Sequence, residues 1–113
     1  LPAPVVAEKG DSLPGINVDI KSPQALLTIK LSNYPSASQA KIMINGQSRY
    51  SFSKQQVTLR VDAGDTVEID TRDCRVPLEF RIDSGSDNLA YPSRGQIFSG
   101  NQSIVMIGKI IVK

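Results

Sequence analysis

The stretch VDAGDTVEIDTRDC, residues 61 to 74, gathers Asp62, Asp65, Asp70, Asp73 and the only cysteine, Cys74, into fourteen residues. Two carboxylates held close together can share a proton and act as acid and base, and a thiol beside arginines such as Arg72 and Arg75 can ionise to a nucleophile. A second polar run, DSGSDN at 83 to 88, offers oxygen donors on Asp83, Asp87 and Asn88, the ligand type calcium takes. Farther on, SGSDNLAYPSRG at 84 to 95 carries Tyr91 and Arg94, and Tyr34 stands before Pro35 in a separate stretch. Tyrosine and arginine are the side chains that dominate protein-binding surfaces.

Histidine is absent from the chain, which narrows the chemistry sharply. Without imidazole there is no Ser-His-Asp or Cys-His nucleophile, no histidine general base, and no histidine-containing zinc or copper site. One cysteine excludes a disulfide within this sequence, a CxxC redox pair and a thiolate zinc cluster. The calcium reading at Asp83, Asp87 and Asn88 departs from the EF-hand order, with Gly85 at the third position and no bidentate glutamate downstream, and turn chemistry alone accounts for those residue types. No cofactor is expected.

The elements that must position these residues read as β-strands. The chain has 113 residues, 40% hydrophobic and 21% charged, the size and balance of one folded domain. Its formal charge is +2 and the basic residues are scattered singly, which argues against a nucleic-acid surface. No apolar run reaches the ~18 residues of a membrane span. LPAPVVAEKGDSLPG, residues 1 to 15, reads as a Pro/Ala-rich tether, and residues 16 to 113 as the folded domain. INVDI, LLTIKL, QVTLRV, TVEID and VPLEFRID alternate apolar with polar residues at period two, and Asn45-Gly46 between AKIMI and QSRYSF is a strong hairpin signal. Within these runs Val76, Leu78, Phe80 and Ile82 are expected to face inward, as are Tyr50 and Phe52. SIVMIGKIIVK, 103 to 113, is apolar on both faces, so it is expected to be a long central or two-sided strand kinked near Gly108. The segment 84 to 95 is expected to be an irregular loop. About seven to eight short strands predict an all-β fold, a single antiparallel β-sandwich.

The pattern V-x-A-G-D-T-V-E-I at 61 to 69 resembles the turn-and-strand segment of immunoglobulin-like and cupredoxin-like sandwiches, which implies an immunoglobulin-like fold and no particular function. The copper site of cupredoxins does not carry over, because its histidine ligands are missing here. VEIDTRDC is similar to the hydrophobic-hydrophobic-Asp-Thr-Gly segment of retroviral-type aspartic proteases, and VMIGKI to their later Ile-Ile-Gly run. That resemblance implies a shared-proton carboxylate at Asp70, but Arg72 stands where that family has glycine. An arginine there holds Asp70 ionised.

The expected function is therefore a non-catalytic module that binds another protein or holds architecture, outside the cytoplasm, as part of an anchored or secreted protein. The N-terminal Pro/Ala stretch and the absence of an initial methionine are the grounds for that setting. Tyr91, Arg94 and Tyr34 are the expected binding residues. Polysaccharide or cell-wall binding through the two Tyr-Pro tyrosines is the alternative.

Overall fold

The computed structural model describes residues 23 to 113; the 1 to 15 tether and the INVDI strand fall outside the described residues. The described chain is all β. Ten strands run in chain order: β1 (Gln24–Leu31), β2 (Ala37–Ile44), β3 (Gln47–Phe52), β4 (Gln56–Asp62), β5 (Thr66–Asp70), β6 (Leu78–Gly85), β7 (Leu89–Tyr91), β8 (Ile97–Gly100), β9 (Ile104–Lys109) and β10 (Ile111–Val112). They form two antiparallel four-stranded sheets, β4-β1-β6-β8 and β3-β2-β5-β9, plus a small β10-β7 pair. The two large sheets pack face to face as a β-sandwich around one core.

Period-two alternation makes each inner face. Leu27, Ile29 and Leu31 of β1, Leu59 and Val61 of β4, and Leu78, Phe80 and Ile82 of β6 are buried from one sheet. Ile42 and Ile44 of β2, Phe52 of β3, Val67 and Ile69 of β5, and Val105 and Ile107 of β9 are buried from the other. Phe52 and Phe80 meet with ring centroids 5.0 Å apart and planes tilted by 46°, an arrangement aromatic pairs favour over a flat stack.

The chain crosses between sheets at β1–β2 and again at β4–β5, while β1 pairs β4 in one sheet and β2 pairs β5 in the other. The central strands are thereby interlocked. The β2–β3 hairpin turns at Asn45-Gly46 with φ of 54° and 82°, the double positive φ of a two-residue hairpin turn, which Asn tolerates and Gly adopts freely.

Three expectations need correction. Among the described residues the 103 to 113 run is not central: β9 pairs with β5 and with no other described strand, with Val105 and Ile107 buried but Ile104 and Met106 exposed. Gly108 takes a positive φ of 126° inside β9, and Ile110, between β9 and β10, is buried as well, so the apolar residues serve separate elements. The 84 to 95 segment is not one irregular loop, because β6 runs to Gly85 and Leu89–Tyr91 pairs with β10. Val76 is exposed and β6 starts at Leu78, since Pro77 between them lacks a backbone donor for the ladder.

Candidate binding site

The Gly64-Asp65 turn of the aspartate-rich stretch is a structural clasp. Asp65 accepts from the Asn45 side-chain amide through Oδ1 at 3.0 Å and from the Asp62 backbone N–H through Oδ2 at 2.8 Å. Asn45 in turn accepts from the Thr66 N–H at 2.9 Å. The backbone of Gly64 donates to Ile110 O and that of Ile110 donates to Asp65 O, both at 2.8 Å. One side chain therefore ties the β4–β5 turn to the β2–β3 hairpin, and its own backbone holds the segment after β9.

Asp70 is held by Arg72, as the spacing implies. The guanidinium forks onto it, Nε to Oδ1 at 3.0 Å and Nη2 to Oδ2 at 2.9 Å. That side-chain hydrogen bond holds the Asp70 carboxyl below its ordinary range, against the opposing effect of burial. A carboxylate so occupied is an ion-pair partner and does not share a proton. Cys74 is buried, and desolvation, followed by the nearby Asp73 charge, pushes its thiol up, away from the thiolate.

The expected binding residues do not converge. The Tyr91 hydroxyl donates to Ile107 O at 2.9 Å, and its ring lies so close to Gly108 that a Cβ there would sit 3.0 Å from Cε2. Arg94 is exposed at the rim of a groove that also involves Leu89 and Lys113. Tyr34 follows β1 at the opposite end of the sandwich: Leu31 pairs there with Phe80, whereas Gly108 pairs with Val67 beside the Asn45 turn. Two tyrosines at opposite ends make no common sugar platform.

Two of the three suggested calcium donors, Asp83 and Asn88, are engaged elsewhere. Asp83 pairs with Arg81 at 3.2 Å. Asn88 accepts from Ser86 Oγ at 2.6 Å and donates to Gln24 O at 2.7 Å, while Ser86 Oγ accepts from the Leu26 N–H at 2.9 Å. Among the described residues no three acidic, histidine or cysteine side chains stand together as a metal group.

A different region is concave. At the end that holds the Asp65 clasp, a cleft of about 520 Å³ opens on the β3/β4 side, lined by Leu26, Arg49, Tyr50, Thr58, Arg60 and Asp62 among others. A second hollow of about 320 Å³ shares Gln24, Leu26 and Arg60 with it and reaches Ser86 and Asn88. The floor is the outer face of the first sheet. There Leu26 pairs with Arg60 and Thr28 with Thr58, whose hydroxyls lie 2.8 Å apart. Leu26, 47% exposed, is an apolar residue on a face that alternation reserves for water. Neither Arg49 nor Arg60 is in an ion pair among the described residues. Tyr50, expected inward, packs against the core and also borders the cleft. Sequence reasoning passed over these residues, although Leu26 gave a signal: it is the leucine out of phase in ALLTIKL.

An antiparallel β-sandwich with a polar lateral cleft is the class that fold and site define. No protein family, no curated protein and no solved structure matches the chain. Among the described residues no helix is long and apolar enough to cross a membrane.

Proposed function

We propose that this domain is a non-catalytic, extracytoplasmic binding module with an immunoglobulin-like arrangement, and that the cleft on its β3/β4 side recognises a partner protein. The observation that carries the reading is the shared lining of that cleft. Arg49, Tyr50 and Arg60 surround exposed Leu26, the combination of arginine, aromatic and apolar anchor that concentrates energy at protein interfaces. The immunoglobulin-like part draws support from connectivity. In such sandwiches the second strand pairs the fifth in one sheet, the third pairs the sixth in the other, and the links between sheets interlock them, as β1/β4 and β2/β5 do here. The non-catalytic part draws support from the buried, protonated Cys74 and the arginine-locked Asp70. For the extracytoplasmic setting the support is the Pro/Ala-rich N-terminal composition.

The test compares the intact domain with an Arg49→Glu/Arg60→Glu variant, both immobilised and exposed to envelope extract, with thermal melting to show that both are folded. A partner retained by the first and lost by the second supports the cleft. Equal recovery by both forms sinks the assignment, and retention on insoluble polysaccharide in place of protein turns the function to carbohydrate binding.

A further inference from the structure

We infer that the hollow between the end of β6, β7 and the 92 to 95 turn is an anion site that takes a phosphate group, free or carried by a small organic ester. The hollow holds about 300 Å³ and has Ser84, Leu89, Pro92, Ser93, Arg94 and Lys113 in its lining. Its charge sets it apart from the β3/β4 cleft, where Arg49 and Arg60 stand with Asp62 and Asp65. Here two cations line the space and, among the described residues, no carboxylate does. Neither Arg94 nor Lys113 is in an ion pair among the described residues, and both are exposed, so a solute can reach them. Of the acidic residues nearby in the chain, Asp83 is paired with Arg81 at 3.2 Å, and Asp87 is exposed on the turn before β7, outside the lining.

Backbone hydrogen bonds fix the walls of the hollow without any ligand. Ser84 is held opposite Thr28 by the β1/β6 pairing, and the Lys113 N–H donates to Asn88 O at 2.7 Å. The 93 to 96 turn is tied to β6 by Gly95 N–H to Ile82 O at 2.8 Å and Ile82 N–H to Gln96 O at 2.9 Å, and is closed by Ser93 N–H to Gln96 Oε1 at 2.6 Å. The Ser86 hydroxyl is engaged by Asn88 and the Leu26 N–H, whereas those of Ser84 and Ser93 make no hydrogen bond among the described residues. Two cations and two hydroxyl donors match a group with close to two negative charges and three acceptor oxygens. A phosphomonoester presents both near neutral pH; a carboxylate, with one charge, does not. The guanidinium takes such a group as a planar fork and the ammonium as a point charge. Leu89 and Pro92 add an apolar wall, and the volume lies at the lower end of small-molecule pockets, so a short carbon skeleton fits beyond the phosphate.

Titration of the isotope-labelled full chain, followed by its amide NMR shifts, tests the site. Inorganic phosphate and glycerol phosphate are the two phosphate probes, acetate is the carboxylate control, and sodium chloride holds the ionic strength constant, because salt screens exposed charges. The expected result is a saturable shift of the amides of 84 to 95 and 113 with both phosphate probes, and much weaker binding of acetate. Arg94→Gln/Lys113→Gln should keep the dispersed spectrum of a folded chain and weaken phosphate binding by at least about tenfold, through loss of charge-assisted hydrogen bonds. Lys54→Gln, which removes an exposed cation between β3 and β4, should leave binding unchanged. Tighter binding of glycerol phosphate supports the site and assigns it to organic esters; equal binding of the two probes supports it and assigns it to free phosphate. The absence of a saturable shift with either phosphate probe overturns the inference. So do acetate binding as tight as phosphate binding, shifts spread over exposed cations elsewhere, or an affinity unchanged in the folded double variant.

Discussion

On the side of the sandwich closed by β3 and β4, the edge residues that face water include Gln47, Ser48, Arg49, Gln56, Thr58 and Arg60. On the side closed by β8 and β9 they include Ile97, Ile104 and Met106, three of the seven large hydrophobic residues left exposed among the described ones. Both sides have the same architecture, an edge strand from each sheet joined by a short connection, so topology does not account for the contrast. Solvent exposure does. Charged and hydroxyl side chains keep an edge hydrated and discourage another strand from joining it, whereas an uncharged aliphatic edge is a template. One side is polar along its edges and holds a cleft, and the other exposes aliphatic side chains.

The inner lining repeats the contrast, and the largest expected effect tests it. Phe52, at the end of β3, is fully buried against Phe80, while Phe98 of β8 is only half-buried. Phe52→Ala should lower the unfolding free energy by about 3–5 kcal/mol, and Phe98→Ala by roughly half as much, read from denaturant midpoints. Equal losses would mean that the β8/β9 side is sealed as tightly as the other.

Next in size is the pin that holds the β8–β9 connection. Thr71, buried at the end of β5, donates through Oγ1 to Ser103 O at 2.7 Å and accepts from Ser103 N at 3.0 Å. Thr71→Val keeps the shape and removes both side-chain bonds, at an expected cost of about 1–3 kcal/mol, with faster hydrogen exchange at the β9 amides than at those of β3. Uniform acceleration across both edges would show that the pin is not local.

Smaller still are the surface substitutions. Arg60→Glu and Met106→Lys should each change monomer stability by no more than about 0.5 kcal/mol, because neither removes buried contact. If Met106→Lys destabilises the monomer itself, the outer face of β9 is packed internally and the contrast between the sides is lost.

The smallest effect belongs to Asp70, which stands opposite Ile104 on the strand beside the apolar edge. Its carboxyl is depressed in the folded state by Arg72, so its contribution is complete above the unfolded pKa and disappears as pH falls through the folded one. Asp70→Asn should therefore unfold slightly more easily than the natural chain at pH 7, and the gap should close below about pH 4, near the ordinary aspartate pKa. A gap that stays constant down to acid pH would mean that the ion pair contributes nothing.

The strands legible from sequence are those with strict alternation: β1, β4, β5, the body of β6, and the β2–β3 hairpin with its Asn-Gly turn. β7 and β8 are not, because three and four residues flanked by Pro92, Gly95 and Gly100 carry too short a pattern to register. The edge position of β9 is hidden for another reason. Apolar residues on both faces say that both faces avoid water, but not whether a neighbour in the same sheet or a second molecule covers them. Tyr91 has the right residue type for a binding loop, yet a phenol is equally able to satisfy a backbone carbonyl, and only the approach of Gly108 to its ring decides which. Arg49 and Arg60 come from strands of different sheets, and no spacing along the chain reveals that they share a cleft.

Asn88 donates its side-chain amide to Gln24 O at 2.7 Å, and its backbone carbonyl accepts from the Lys113 N–H, also at 2.7 Å. The first described strand and the last described residue are thus moored to a single residue. Tension drawn through such a mooring loads those few hydrogen bonds first and leaves the interlocked strands slack until they give way.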